Sequence, residues 1–175
     1  MNLTRRYLLV FATAATLTVP LAFAQKASPA GTAEVSLEGG TITINYSRPF
    51  MKGRKIMGGL VPYGQWWRTG ADDATSLKTP VDLEIGGVKV PAGNYTLYSL
   101  PSETDWKLII NKQTGQWGTE YDEKQDLARV SLKKMALSSP IEEFTIEFVK
   151  KGPKIAELIL EWENTKLSVP VRVIR

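Results

Sequence analysis

The residues best suited to chemistry fall in two clusters. The first is Val61-Pro62-Tyr63-Gly64-Gln65-Trp66-Trp67-Arg68-Thr69-Gly70-Ala71-Asp72-Asp73-Ala74-Thr75, with Arg48 upstream of it. The second is Asn111-Lys112-Gln113-Thr114-Gly115-Gln116-Trp117-Gly118, followed by Tyr121, Asp122, Asp126 and Arg129. Aromatic rings beside Arg, Asp and Thr suit sugars and other planar polar ligands, because rings stack on the apolar ligand face while polar groups take its hydroxyls. On that ground the candidate ligand-binding residues are Arg48, Tyr63, Trp67, Arg68, Asp72, Thr75, Asn111, Trp117, Tyr121, Asp126 and Arg129. The alternative is structural: both tryptophans of the pair plug the end of the fold, Arg68 pairs with a carboxylate, and Trp117 pins its own loop from inside. Adjacent residues of an extended chain face opposite ways, so one of Trp66 and Trp67 should anchor the segment and the other face outward or line a groove. Gly115 and Gly118 flank Trp117 at a spacing that allows close backbone approach.

Acids for hydrolysis would come from Asp72, Asp73, Glu120, Asp122 and Asp126. Two carboxylates facing each other can cleave a glycosidic bond, but sequence does not give their separation, and most acidic side chains simply solvate a surface. What is missing excludes more. The chain has no His and no Cys, which removes Ser-His-Asp and Cys-His nucleophiles and the usual His or Cys sites for zinc, copper or non-haem iron. No Asp-x-Asp-x-Asp loop offers calcium an oxygen cage. No catalytic residue, metal or cofactor is therefore assigned, and binding or structural roles rank above enzymatic ones.

The chain opens Met1-Asn2-Leu3-Thr4-Arg5-Arg6, then carries no charge from Tyr7 to Phe23 and reaches Ala22-Phe23-Ala24. A charged start, an apolar run and a small-x-small triplet read as a secretory signal cleaved before Gln25. Thr13, Thr16, Thr18 and Pro20 dilute the run below what a membrane anchor of roughly 20 apolar residues needs. With no Cys after it, a lipid anchor on cysteine is excluded. Arg5-Arg6 ahead of apolar residues also resembles a twin-arginine export signal; an ordinary signal start that happens to hold two arginines is the simpler reading. The expected location is the periplasm or the medium, with no stable membrane span after cleavage. Removing residues 1–24 takes two arginines from the 22 basic residues and none of the 18 acidic ones. The remainder has 20 against 18, a net charge of +2, too near balance to argue for nucleic acid.

The scaffold that must hold these clusters reads as strands. Thr41 to Tyr46 alternates with Ile42, Ile44 and Tyr46 on one face. Gly39-Gly40 before it, with Val35 and Leu37 upstream, predicts a hairpin. Val81, Leu83 and Ile85 alternate, and Gly86-Gly87 can return the chain through Val88 and Val90. Pro91-Ala92-Gly93 turns into Tyr95 to Leu100, apolar on both faces. Alternation recurs at Trp106 to Ile110, Ala128 to Leu132, Phe144 to Phe148, Ala156 to Trp162 and Leu167 to Val173, with Glu163-Asn164-Thr165 read as a turn. Pro170 in the last run suggests an edge strand or a bulge. Asp122 to Leu127 has room for one helical turn. Residues 47–76 break the pattern over about 30 residues, far beyond the usual ~4–6 of a connection. Phe50, Met51, Ile56, Leu60 and the two tryptophans argue that this loop is ordered.

Residues 61–75, Pro91-Ala92-Gly93-Asn94-Tyr95, Trp106 to Asn111, Trp117-Gly118, Tyr121-Asp122 with Asp126 and Arg129, and Leu160-Glu161-Trp162-Glu163 together resemble the DUF2911 family of bacterial exported proteins over residues 34–174. The resemblance implies a β-rich exported domain of unassigned function and names no substrate or catalytic residue. The family usually carries Gly-Ala-Asn where this chain has Gly70-Ala71-Asp72, which exchanges an amide for a charge.

The sequence therefore predicts a signal peptide at 1–24, a flexible lead at 25–32 and one all-β domain at 33–175. That domain is an antiparallel β-sandwich of jelly-roll or immunoglobulin-like kind with about nine strands. Its expected role is to bind an envelope or environmental glycan through the aromatic loop. The alternatives are a carboxylate-dependent glycan hydrolase and a structural or partner-binding envelope protein.

Overall fold

The computed structural model describes residues 28–174. The expected signal and residues 25–27 lie outside the described residues. Nine antiparallel strands follow one another: β1 (Ala30–Leu37), β2 (Gly40–Ser47), β3 (Ser76–Thr79), β4 (Leu83–Ile85), β5 (Val88–Val90), β6 (Gly93–Leu100), β7 (Trp106–Asn111), β8 (Asp126–Lys150) and β9 (Ile155–Val173). The helical content among the described residues is one 3-10 turn, Glu123–Gln125, within the stretch where a single turn was expected; the Asp122 carboxylate caps it by accepting the Lys124 N–H. No helix of the described residues is long and apolar enough to cross a membrane.

The strands form one continuous sheet in the order β1-β2-β3-β6-β7-β8-β9-β4-β5. Alternation builds its faces. Ala33, Val35 and Leu37 of β1 and Ile42, Ile44 and Tyr46 of β2 are buried, and their neighbours along each strand are more exposed except Ser47, which is buried at the end of β2. Five consecutive residues of β6, Tyr95 to Ser99, are buried on both faces, as a strand covered on both sides requires. The two halves of the sheet share one core: Ile42 and Ile44 of β2 belong to the same cluster as Leu158, Leu160 and Trp162 of β9. Strands so far apart in the order can share a core only if the sheet folds over on itself. The fold is closed across by Tyr46, whose hydroxyl accepts the Ile146 N–H at 2.9 Å and donates to the Ile146 carbonyl at 3.3 Å.

The strand boundaries depart from expectation in four places. β1 starts at Ala30, with Ala30↔Ser47, Gly31↔Tyr46 and Thr32↔Asn45 already paired, so strand begins inside the segment read as a lead. Ser76–Thr79 adds a strand between β2 and β6; with four residues it is too short for alternation to announce it. Two pairs of expected strands are single ones: β8 runs through 126–150, and β9 runs through Glu163-Asn164-Thr165 without turning. The apparent break is a bulge. From Ala136↔Thr165 to Ile141↔Glu163, and on to Thr145↔Glu161, β8 advances 5 and then 4 residues while β9 advances 2 each time, and Glu163 takes φ 53°. Pro170 is not on an edge strand, since β9 lies between β8 and β4. It follows the last β8 partner, Lys133↔Ser168, and its carbonyl accepts the Gly86 N–H.

Candidate functional site

The long loop between β2 and β3 is seated on the β8 bulge. Surplus residues in β8 leave backbone groups that the ladder to β9 does not use, and the loop takes them. Met51 N–H donates to the Glu142 carbonyl and Phe144 N–H to the Pro49 carbonyl, at 2.8 and 2.9 Å. The indole N–H of Trp162 reaches the same Glu142 carbonyl, and the Glu142 carboxylate accepts the Lys52 N–H at 2.8 Å. On the β9 side, the Glu163 carboxylate accepts the N–H groups of Ile56 and Met57 at 3.0 and 3.1 Å. Ile56, Met57 and Val61 are buried beneath. All three join the core cluster of the sheet, so the loop is anchored in the main core, as its apolar content required.

Its second half is pinned to β6. Trp67 and Ser99 exchange both backbone hydrogen bonds, at 2.8 and 2.9 Å. Beyond them the backbone is strained. Thr69 takes φ 54°, a region β-branched residues rarely enter, and Asp72 takes φ 55°. Thr69 is fully buried, donates to the Ser99 hydroxyl, and accepts the Thr75 hydroxyl on its carbonyl at 2.7 Å. The loop containing Trp117 then zips onto this segment: Gly118 N–H donates to the Asp72 carbonyl, Ala74 N–H to the Gln116 carbonyl, and Asp73 and Trp117 form a bridge. A Cβ on Gly118 would lie 2.6 Å from the Asp72 carbonyl and 2.8 Å from Arg68 Cδ. The glycine is there because the two loops touch.

The adjacent tryptophans diverge as alternation demands. Trp67 packs into the core, with its ring stacked on Trp162 at 5.8 Å and 19° and edge-on to Phe144 at 5.1 Å. Trp66 is 38 % exposed and leans on Tyr98 and Tyr121, at 5.5 and 4.9 Å. Between them opens a groove of about 500 Å³, walled by Phe50, Leu60, Trp66, Trp67 and Trp162, with Lys52, Arg54, Gln65, Arg68 and Asp72 among its polar residues.

Trp67, Arg68 and Asp72 of the sequence candidates meet in this groove. The others do not line it. Arg48 pairs with Glu143 at 3.2 Å and donates to the Phe144 carbonyl and the Thr145 hydroxyl, tying the end of β2 to β8. Tyr63 packs against the core beneath the Lys134 ammonium. Thr75 is buried on Thr69. Asn111 is fully buried; its amide donates to the Asp122 carbonyl and to Asp126, both at 2.9 Å. Tyr121, Asp126 and Arg129 close a network with it: the Tyr121 hydroxyl donates to Asp126 at 2.8 Å, and Arg129 meets Asp126 and Glu123. Burial, then the Asp126 hydrogen bond and charge, push the Tyr121 phenol up to about 12. The hydrogen bond that its guanidinium donates to Asp126 leads the causes that hold Arg129 above its ordinary range. This cluster locks the loop 112–125 rather than opening to the groove. Trp117 is 44 % exposed and stands outside the lining.

The groove residues that were not candidates include Phe50, Lys52, Leu60, Gln65 and Trp66, all within the pattern-free segment. Trp66 is the member of the tryptophan pair expected to face outward or line a groove, Phe50 and Leu60 are legible only as ordering the loop, and nothing but the segment's length marked Lys52. Trp162 was legible only as core. A second cavity of about 630 Å³ opens on the strands β1, β2, β3 and β6 and is lined by polar residues such as Thr32, Asn45, Ser76, Thr96 and Gln116. The Gln116 amide nitrogen donates to Thr96 and Tyr98, and its buried carbonyl oxygen has no partner. None of the exposed tryptophans lines that cavity.

Compared with known proteins, residues 28–171 match the model of a family described as a protein of unknown function, DUF2911. No curated protein matches the chain, and no solved structure does.

Proposed function

The chain belongs to the DUF2911 family of proteins of unknown function, and from that premise we propose that it is an exported binding protein whose loop groove takes a flat-ringed, polar ligand, a glycan of the envelope or surroundings first. The groove carries the proposal. It offers the exposed Trp66 and half-buried Trp67 rings as apolar faces beside Gln65, Arg68 and Asp72, with Trp162 buried behind Trp67, and apolar faces with a few convergent polar groups are what such ligands require. The construction of the site supports it too: two loops are zipped together, and a buried Thr69 is held at positive φ, so the wall is rigid before a ligand arrives. Export is supported by the Arg5-Arg6 start, the uncharged run and Ala22-Phe23-Ala24, and mass analysis of the secreted chain should find Gln25 at its N-terminus. A hydrolase is less favoured, because a paired-carboxylate mechanism needs two facing acids and the groove lining supplies Asp72 as its carboxylate. A partner-binding role is favoured by one observation, the exposure of the large apolar side chains Leu60 and Trp117, at 47 % and 44 %; crosslinking in intact cells tests it, and recovery of no partner would count against it.

Binding to an array of polysaccharides tests the groove. Trp66→Ala removes an exposed ring and should weaken binding about tenfold or more, ~1.4 kcal/mol, with thermal unfolding shifted by only a few degrees. Undiminished binding by this variant would remove the groove from the assignment.

A further inference from the structure

Resting on that reading of the groove, we propose that its ligand is an anion, a ring bearing a carboxylate, with Arg68 as the principal counter-ion and Lys52 as the second. The groove holds unspent positive charge. Arg54 also lines the groove, but its guanidinium donates to the Met51 and Phe50 carbonyls at 2.9 and 2.7 Å. Arg48 and Arg129, the other arginines near the loops, are held by Glu143, Glu123 and Asp126. Arg68 is different. Its Nε donates weakly to the Gly70 carbonyl at 3.3 Å, its stem packs against Gly118, and its terminal nitrogens meet no carboxylate among the described residues. Asp72 shares the groove without pairing to it, and accepts the Ser28 N–H at 3.3 Å instead. Lys52 has its backbone N–H fixed by Glu142, while its ammonium meets no carboxylate among the described residues.

The charged lining residues are thus Lys52, Arg54 and Arg68 against Asp72, three cations to one anion, a surplus of +2. A neutral sugar is recognised by paired hydrogen bonds and asks for no surplus. A half-buried guanidinium with a pinned stem and free terminal nitrogens presents the planar fork that a carboxylate fits with two parallel bonds. The exposed Trp66 indole in the same groove supplies the face for the ring. A sugar acid and an aromatic acid share this chemistry.

Titration calorimetry of the chain without residues 1–24 separates the outcomes, using galacturonic acid oligomers, matched galactose oligomers and benzoate as probes. The acidic oligomers should bind at least about tenfold more tightly than the neutral ones near 0.05 M salt. That advantage should shrink severalfold by about 0.5 M as the charges are screened. Arg68→Gln should bring the acidic-to-neutral ratio close to one. Arg172→Gln, which removes a charge from exposed β9 surface, should leave the ratio intact, and thermal melts confirm that both variants fold. Equal wild-type affinity for acidic and neutral oligomers would overturn the anion inference while leaving the glycan reading standing. Binding of benzoate without either oligomer would support the anion and overturn the glycan. No binding of any probe would overturn both.

Discussion

At the scale of residues, the two tryptophans divide the work of one short segment. Trp67 is a foundation that also forms groove wall, since its ring stacks on Trp162 and meets Phe144. Truncating a buried Trp costs about 3–5 kcal/mol. Trp67 is half-buried, so Trp67→Ala should lower unfolding free energy by about 2 kcal/mol in a urea titration, clearly more than Trp66→Ala does. Asp72 has a backbone role as well as a place in the groove. At φ 55° it occupies a region where Asp and Asn are the best tolerated side chains after Gly, which accounts for this chain's Asp without invoking a ligand. Tyr121 couples its loop to pH. Its phenol stays neutral in the fold up to about 12, whereas an unfolded tyrosine ionises near 10. Between those values the unfolded chain has released a proton that the folded chain still holds. Stability from this group is therefore complete below about pH 10 and is lost as pH rises toward 12. Denaturant melts at a series of alkaline pH values should show a shallower decline for Tyr121→Phe than for the parent chain; an identical decline would mean that other groups set it.

At the scale of elements, the bulge in β8 is what makes the long loop possible, because the backbone groups it withholds from β9 are those that bind Pro49 and Met51. The contact between the two loops is equally specific. Gly118→Ala would place a methyl group 2.6 Å from the Asp72 carbonyl, so it should destabilise by about 1–3 kcal/mol and increase amide exchange in residues 112–120 and 69–75 more than in β6 or β7. Uniform change across the sheet would argue against a local zipper. Much of the scaffold was legible in the sequence: the β1–β2 and β4–β5 hairpins, the doubly buried β6, and a long ordered loop all follow from periodicity and glycine placement. The bulge was not, because extra residues in one strand look like a turn when the partner strand is unknown. Part of the site was legible too. Aromatic and charged residue types marked Trp67, Arg68 and Asp72. The same types marked Asn111, Tyr121, Asp126 and Arg129, which satisfy one another instead, and residue type alone does not separate a network closed on itself from one left open.

At the scale of the whole molecule, the chain without Cys is held by a sheet folded around one core. Many of its pairings are remote in sequence, Leu83↔Val173 and Tyr46 to Ile146 among them. Such closures are entropically late, so refolding after dilution from denaturant should take roughly milliseconds to seconds, as for other all-β domains; a microsecond phase carrying the full amplitude would contradict this topology. The stacking of Trp67 on Trp162 has a consequence of another kind. One indole arrives on the loop and the other belongs to β9, so the pair exists only when the loop is seated. Two indoles held nearly parallel couple their electronic transitions, and that coupling gives a circular-dichroism couplet absent from either ring alone. The protein therefore carries an unlabelled optical gauge of its own groove, one that would fade if the loop lifted and shift when a ring slid in beside it.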